Sequence, residues 1–185
     1  MIILINGTYG IGKTTTAKCL FEIFSDSFFS GGDFALYDPD DFILSEIDMN
    51  QFNSFFKIYG WECTANPAYL EIAQKNIKKL IADHIAVIVP MTLAHENGKK
   101  YIIDYFATIG EPLKHFILEA DNFTTTQRIV FQKERDKKLS LKWIDTNLKF
   151  LKDNYPDAIR INTEQKAPRK IAKEIAREID LYGLF

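Results

Sequence analysis

The chain has little cysteine, no excess of either charge and no long apolar run, and each shortage removes a class of protein. Two cysteines in 185 residues, Cys19 and Cys63, cannot make a disulfide framework, so both are expected to be reduced packing residues. With 23 basic against 25 acidic residues the net charge is −2, and nothing global draws the chain to nucleic acid. The apolar runs are too short to cross a bilayer, so membrane insertion is not expected. Met1 passes straight into an apolar segment without a basic n-region, so no signal peptide is expected and the anticipated location is cytoplasmic. His84, His95 and His115 show no metal-ligand spacing with one another or with the cysteines, and none is assigned chemistry. No internal repeat, low-complexity tract or linker divides the chain, which suits one domain over residues 1–185.

What is present is an alternation of short apolar runs with helical patterns, the mark of a parallel sheet covered on both faces. The expected strands are Ile2–Ile5, Phe34–Tyr37, Ile85–Val89, His115–Leu118 and Ala158–Ile161. Helical periodicity spans about 68–82, 98–109, 124–152 (with a break near Leu139–Ser140) and 168–180. The fold class is therefore α/β: a P-loop NTPase with three α/β/α layers, a five-stranded parallel sheet and the order of a small kinase. Residues 42–84 form the expected cap or insert, and 124–152 the expected lid region.

The first strand feeds Gly7-Thr-Tyr-Gly-Ile-Gly-Lys-Thr14, a full phosphate-binding loop. Such a loop works only where a strand leads into a glycine turn that opens a helix, because only then do successive N–H groups converge on phosphate oxygens. The helix follows at once, with Ala17, Leu20, Phe21 and Phe24 on its inner side and Lys18 and Glu22 outside. Gly7 and Gly12 let the backbone turn, and Thr8, Tyr9, Gly10, Ile11 and Thr15 complete the nucleotide contacts. Lys13 supplies a point charge that follows the β- and γ-phosphates. The Thr14 hydroxyl is a ligand for Mg2+. ATP and Mg2+ are the expected cofactors, with GTP not separated from ATP.

Two further absences narrow the class. The third strand ends Val89-Pro90-Met91-Thr92, without the aspartate that usually holds Mg2+ in switches and motors, and no Asn-Lys-x-Asp string reads a guanine base. A small-molecule kinase is favoured. Such an enzyme must position and deprotonate an acceptor hydroxyl, and Asp38, at the carboxyl end of the second strand, is the candidate, as base or on the Mg2+ side. Asp40 and Asp41 follow as acceptor-binding candidates, although acids at a helix start also satisfy free N–H groups.

Arg128 and Arg135 lie seven residues apart on one helical face and are candidate lid arginines that meet charge on the transferred phosphoryl group. A solvated basic helix is the plain alternative. Asn162 and Thr163 sit where the chain leaves the last strand and are candidates for closing over adenine, or simple turn formers. Between Phe42 and Trp61 the aromatics Phe52, Phe55, Phe56 and Tyr59 follow one helix face. They read either as core or as an acceptor cap, with Phe56 and Trp61 lining it.

Three pieces of the chain together resemble the tunicamycin-resistance family of P-loop ATP-binding proteins: Ile5-Asn-Gly-Thr-Tyr-Gly-Ile-Gly-Lys-Thr14, Tyr37-Asp38-Pro39-Asp40 and Val89-Pro90-Met91-Thr92. In general plan the chain is also similar to chloramphenicol phosphotransferases and shikimate kinases. The resemblance implies an ATP-dependent protein acting on a nucleoside antibiotic, by phosphorylation or sequestration, with Asp38 on the acceptor side and Thr92 near the substrate. The family pattern has Glu where this chain has Asp40, a shorter acid. The other expectations are a kinase of a normal metabolite, such as a nucleoside or cofactor precursor, and a non-catalytic ATP-dependent binder. The partner in each case is a small molecule.

Overall fold

The computed structural model describes residues 1–26, 34–46, 50, 63–131 and 137–179. β1 (Ile2–Asn6) is buried along its whole length, and so is β3 (Ala86–Pro90). Strands covered on both faces need apolar residues at successive positions, which is why these two read as continuous runs. β2 (Phe34–Leu36), β4 (Leu113–Glu119) and β5 (Ile159–Asn162) complete a parallel sheet of order β2-β3-β1-β4-β5.

The pleat sends alternate side chains of each strand into two cores. Ile3, Ile5, Ala86, Ile88, Phe116 and Leu118 face one side, which is covered by α1 (Lys13–Asp26) and by α8 (Pro168–Glu178). Ile2, Leu4, Val87, Val89 and Ile117 face the other. That second face is covered by α3 (Pro67–Asp83), α4 (96–108) and α7 (Ile144–Asn154), which contribute Leu70, Ile102 and Leu151 among others. α2 (Pro39–Glu46) lies between β2 and α3 in the chain. α4 runs from Glu96–Gly98 through a π-helical stretch, Lys99–Asp104, to Tyr105–Thr108. Gln74 on α3 donates its side-chain amide to the carbonyl of Tyr101 in that stretch, at 2.7 Å.

Local signals explain the helix starts. Asn66 caps α3 by accepting from the N–H groups of Ala68 and Tyr69, and Pro67 follows at the first helical position. α8 (Pro168–Glu178) begins at Pro168 and buries Ile171, Ala172 and Ile175 against α1, as its spacing predicts.

Several sequence boundaries shift. β2 ends at Leu36, one residue short of the expected Tyr37, and Pro39 is the first residue of α2, since proline's fixed φ suits a helix start. The helix after β3 begins at Glu96, two residues before Gly98, because the His95 ring caps it by accepting from Asn97 N–H. The expected lid region, 124–152, holds most of α5 (Asn122–Phe131), all of α6 (Lys137–Lys142) and most of α7; over the described residues 137–154 the break falls at Trp143, not at Leu139–Ser140.

The β1 strand is central, with β3 on one side and β4 on the other. The chain leaves β1 toward β2 and later crosses back from β3 to β4, so the strand order reverses about β1. Crevices for ligands open at the carboxyl ends of strands at such a reversal, and the glycine loop stands there.

Candidate active site

The loop from Gly7 to Gly12 leaves the carboxyl end of β1 and ends where α1 begins at Lys13. Gly7, Gly10 and Gly12 all have positive φ, at 145°, 72° and 101°. Gly10 is doubly constrained. A Cβ there would stand 2.6 Å from Ile129 Cγ1, so the loop tip lies directly against α5. Thr8 and Ile11 are buried within the loop, Tyr9 is half-exposed, and Thr15 is exposed on the first turn of α1. Lys13 reaches back along the loop and donates from Nζ to the Thr8 carbonyl at 3.0 Å; its ammonium also stands 6.0 Å from the Tyr9 ring centroid.

Asp38 is brought to the start of α1. Thr14 Oγ1 donates to Asp38 Oδ2 at 2.8 Å. The second carboxylate oxygen accepts from Asp40 N–H at 3.3 Å, and the Asp38 carbonyl accepts from Asp41 N–H at 3.1 Å, so Asp38 also caps α2. Burial is the main influence on this carboxyl and pushes its pKa up from the ordinary value. The Thr14 hydrogen bond opposes that shift, and the charge of Asp40 adds to it.

Asp40 and Asp41 are exposed in the first turn of α2. Asp40 accepts a 2.9 Å hydrogen bond from the hydroxyl of Tyr69, a residue of α3 whose ring is buried. The acid is thereby aimed by the core layer beneath it. Tyr69 was not singled out from sequence. Its position in a helical apolar pattern says core, and the polar tip becomes informative only once α2 is folded over it.

Asn6 was missed as well. It is fully buried at the end of β1, and its Oδ1 accepts from Gly7 N–H at 2.7 Å and from Leu93 N–H at 2.9 Å. An asparagine ending an otherwise apolar buried strand was the available signal, because a buried amide must find partners. Thr92 lies beside that contact, buried in the segment after β3.

Arg128 projects from α5 to the base of the loop. Its guanidinium donates to the Thr163 hydroxyl at 2.8 Å, to the Thr163 carbonyl at 2.8 Å and to the Ile11 carbonyl at 3.4 Å. Thr163 itself is buried and bonded to the Glu119 carbonyl. Asn162 is the last residue of β5 rather than a residue beyond it; it is exposed and accepts from Glu164 N–H. An open hollow of about 490 Å³ lies beside the loop tip, between Gly10, Arg128 and the exposed rings of Phe123 and Phe131. Arg135, Phe56, Trp61 and the aromatic stripe from Phe52 to Tyr59 lie outside the described residues.

The site thus unites Lys13, Thr14, Asp38 and Asp40 on one side of the glycine loop, with Arg128 and Thr163 on the other. The Thr14 hydroxyl and Asp38 carboxylate are hard oxygen donors of the kind Mg2+ prefers when phosphates supply further ligands. Among the described residues there is no group of three or more His, Cys, Asp or Glu placed to hold a metal alone.

No protein-family model matches this chain, and no curated protein sequence matches it. Solved structures do. The tunicamycin resistance protein of Deinococcus radiodurans superposes with a TM-score of 0.66 over 97% of this chain and 95% of that one, at 18% identity. A gluconokinase of Sinorhizobium meliloti gives 0.63 at 13% identity, covering 98% and 95%. The shikimate kinase of Bacteroides thetaiotaomicron gives 0.62 at 16% identity, covering 99% and 98%. The chain has the fold of the small P-loop kinases. The all-parallel five-stranded sheet expected from the sequence is the one observed, and its structural neighbours include the tunicamycin resistance protein that the three motifs resemble. Among the described residues no helix is long and apolar enough to cross a membrane.

Proposed function

We propose that this chain is a Mg-ATP-dependent phosphotransferase acting on a hydroxyl of a small molecule. The observation that carries the reading is the 2.8 Å contact of Thr14 with the buried Asp38 at the foot of a glycine loop, with Asp40 two residues beyond it in the first turn of α2. Thr14 and Asp38 are the residues that would hold the cation, which supplies charge neutralisation on the phosphates. Asp38, whose carboxylate meets Thr14 and the N–H of Asp40, is assigned to the cation side, and Asp40, exposed and aimed by Tyr69, to the acceptor hydroxyl as its base. Lys13 leaves the Thr8 carbonyl for the phosphates. Thr163, tied to the loop by Arg128, flanks the nucleoside end together with Asn162, and Arg135 is assigned to the transferred phosphoryl group.

The acceptor proposed first is a nucleoside antibiotic such as tunicamycin, supported by the Tyr37-Asp38-Pro39 and Val89-Pro90-Met91-Thr92 motifs, with Asp41, Thr92, Phe56 and Trp61 on the acceptor side. The test incubates the purified protein with Mg-ATP and tunicamycin, then with a panel of nucleosides and sugar acids, with Lys13→Ala as control. Phosphorylated tunicamycin made by wild type alone supports the full reading. Product from another acceptor leaves the kinase and removes the antibiotic. Tight ligand binding with no ADP from any acceptor replaces the enzyme by a binding protein.

A further inference from the structure

Leu93 is held at both ends of its backbone by buried side chains from other elements. Its N–H donates to Asn6 Oδ1 at 2.9 Å, and its carbonyl accepts from the Tyr155 hydroxyl at 2.9 Å. The same Asn6 oxygen takes the first N–H of the phosphate loop, Gly7, at 2.7 Å. One side-chain oxygen therefore joins the loop that leaves β1 to the segment that leaves β3, the one that carries Thr92. Asn6, Leu93 and Tyr155 are all buried.

The orientation of the asparagine follows from its partners. Two backbone N–H groups can only donate, so the atom they meet is the oxygen. The remaining Asn6 atom, Nδ2, faces His115 Nε2 at 3.1 Å and must donate to it. His115 Nε2 is then an acceptor, which puts the ring proton on Nδ1. A positive ring would set N–H against N–H. Burial, then the nearby Arg160, hold His115 down at about 4, so the ring is neutral at pH 7. The ring also packs edge-on against Tyr155, with centroids 4.7 Å apart, which closes the circuit through Leu93.

We infer that Asn6 is a positioning residue that locks the phosphate loop to the acceptor-side segment after β3, with His115 and Tyr155 fixing it in place. The inference rests on the kinase reading only in calling these two segments the nucleotide and acceptor sides. The consequence is that the two segments move as one unit. A buried amide that satisfies three partners has no equivalent alternative orientation, and flipping it would set Nδ2 against two N–H groups.

The experiment is NMR on the full chain, labelled at the histidine ring nitrogens and backbone amides, combined with Mg-ATP titration. Wild type is expected to show His115 in the neutral Nδ1–H form, with slow exchange at Gly7 and Leu93. In Asn6→Ala both amides are expected to exchange about tenfold faster and Mg-ATP affinity to fall about tenfold. His115→Phe keeps the ring contact with Tyr155 and is expected to give a smaller change of the same sign at both amides; it also serves if Asn6→Ala does not fold. A neutral Nε2–H tautomer in wild type overturns the inference. So does unchanged exchange at Gly7 and Leu93 in the variants, or unaltered Mg-ATP affinity once exchange has risen. If wild type binds no nucleotide, the kinase reading fails, while tautomer and exchange still decide the coupling of the two segments.

Discussion

Thr14 Oγ1 and Asp38 Oδ2 stand 2.8 Å apart, joining the first turn of α1 to the residue that caps α2. A buried carboxylate is destabilised by lost hydration, and on the proposed reading a bound cation with its phosphates would compensate it. On the proposed reading, stability and function pull in opposite directions at this residue.

Asp38→Asn separates them. The folded pKa of Asp38 lies above the unfolded 3.8, so the native state binds the extra proton and the wild type loses stability as pH rises from 3.8 through the folded value. Asparagine keeps the cap and avoids the buried charge. The variant is expected to melt above wild type at pH 7, with the difference vanishing below pH 3.8, while phosphoryl transfer falls by at least the roughly 10–100-fold that loss of an outer partner of a metal site costs. Melting curves at both pH values and an ADP-release assay check it.

Tyr69→Phe removes the hydroxyl that aims Asp40. Turnover is expected to fall several-fold with nucleotide affinity unchanged, whereas Asp40→Asn should cost about 10²–10⁴-fold if Asp40 is the base. Equal small effects from both variants would remove Asp40 from the chemistry.

His115 gives a pH signature of the opposite sign. Its folded pKa of about 4 lies below the unfolded 6.5, so its contribution is complete above pH 6.5 and is lost as pH falls toward 4. The full loss is on the order of 3 kcal/mol. The stability of wild type relative to His115→Phe is expected to decline across that window in denaturant titrations at pH 7, 5.5 and 4.5.

Gly10→Ala and Gly12→Ala distinguish contact from backbone strain. Both positions have positive φ, but a Cβ at Gly12 meets open space and one at Gly10 meets Ile129. Gly12→Ala is expected to cost about 1–2 kcal/mol from the left-handed backbone alone. Gly10→Ala should cost more, and Ile129→Ala should recover part of the loop's Mg-ATP affinity in the Gly10→Ala background.

The frame of the fold is written locally along the chain. Ile2–Ile5 followed by the glycine loop and α1 is local information, because strand, turn and helix are contiguous and each residue type acts through its own backbone preference. Periodicity did the same for α3 and α8, and apolar runs for β3. How residues far apart in the chain share partners is set by folding alone. Asp38 divides its two oxygens between Thr14 and α2, Arg128 spends its donors on Ile11 and Thr163, and Tyr69 reaches Asp40 across the gap between α3 and α2. Asn6 is the clearest case, since Gly7 is its neighbour but Leu93 and His115 are 87 and 109 residues away. Hydrogen bonds hold over about 3 Å and carry no periodic trace along the chain. They become legible when the parallel sheet brings the ends of β1, β3 and β4 to one edge.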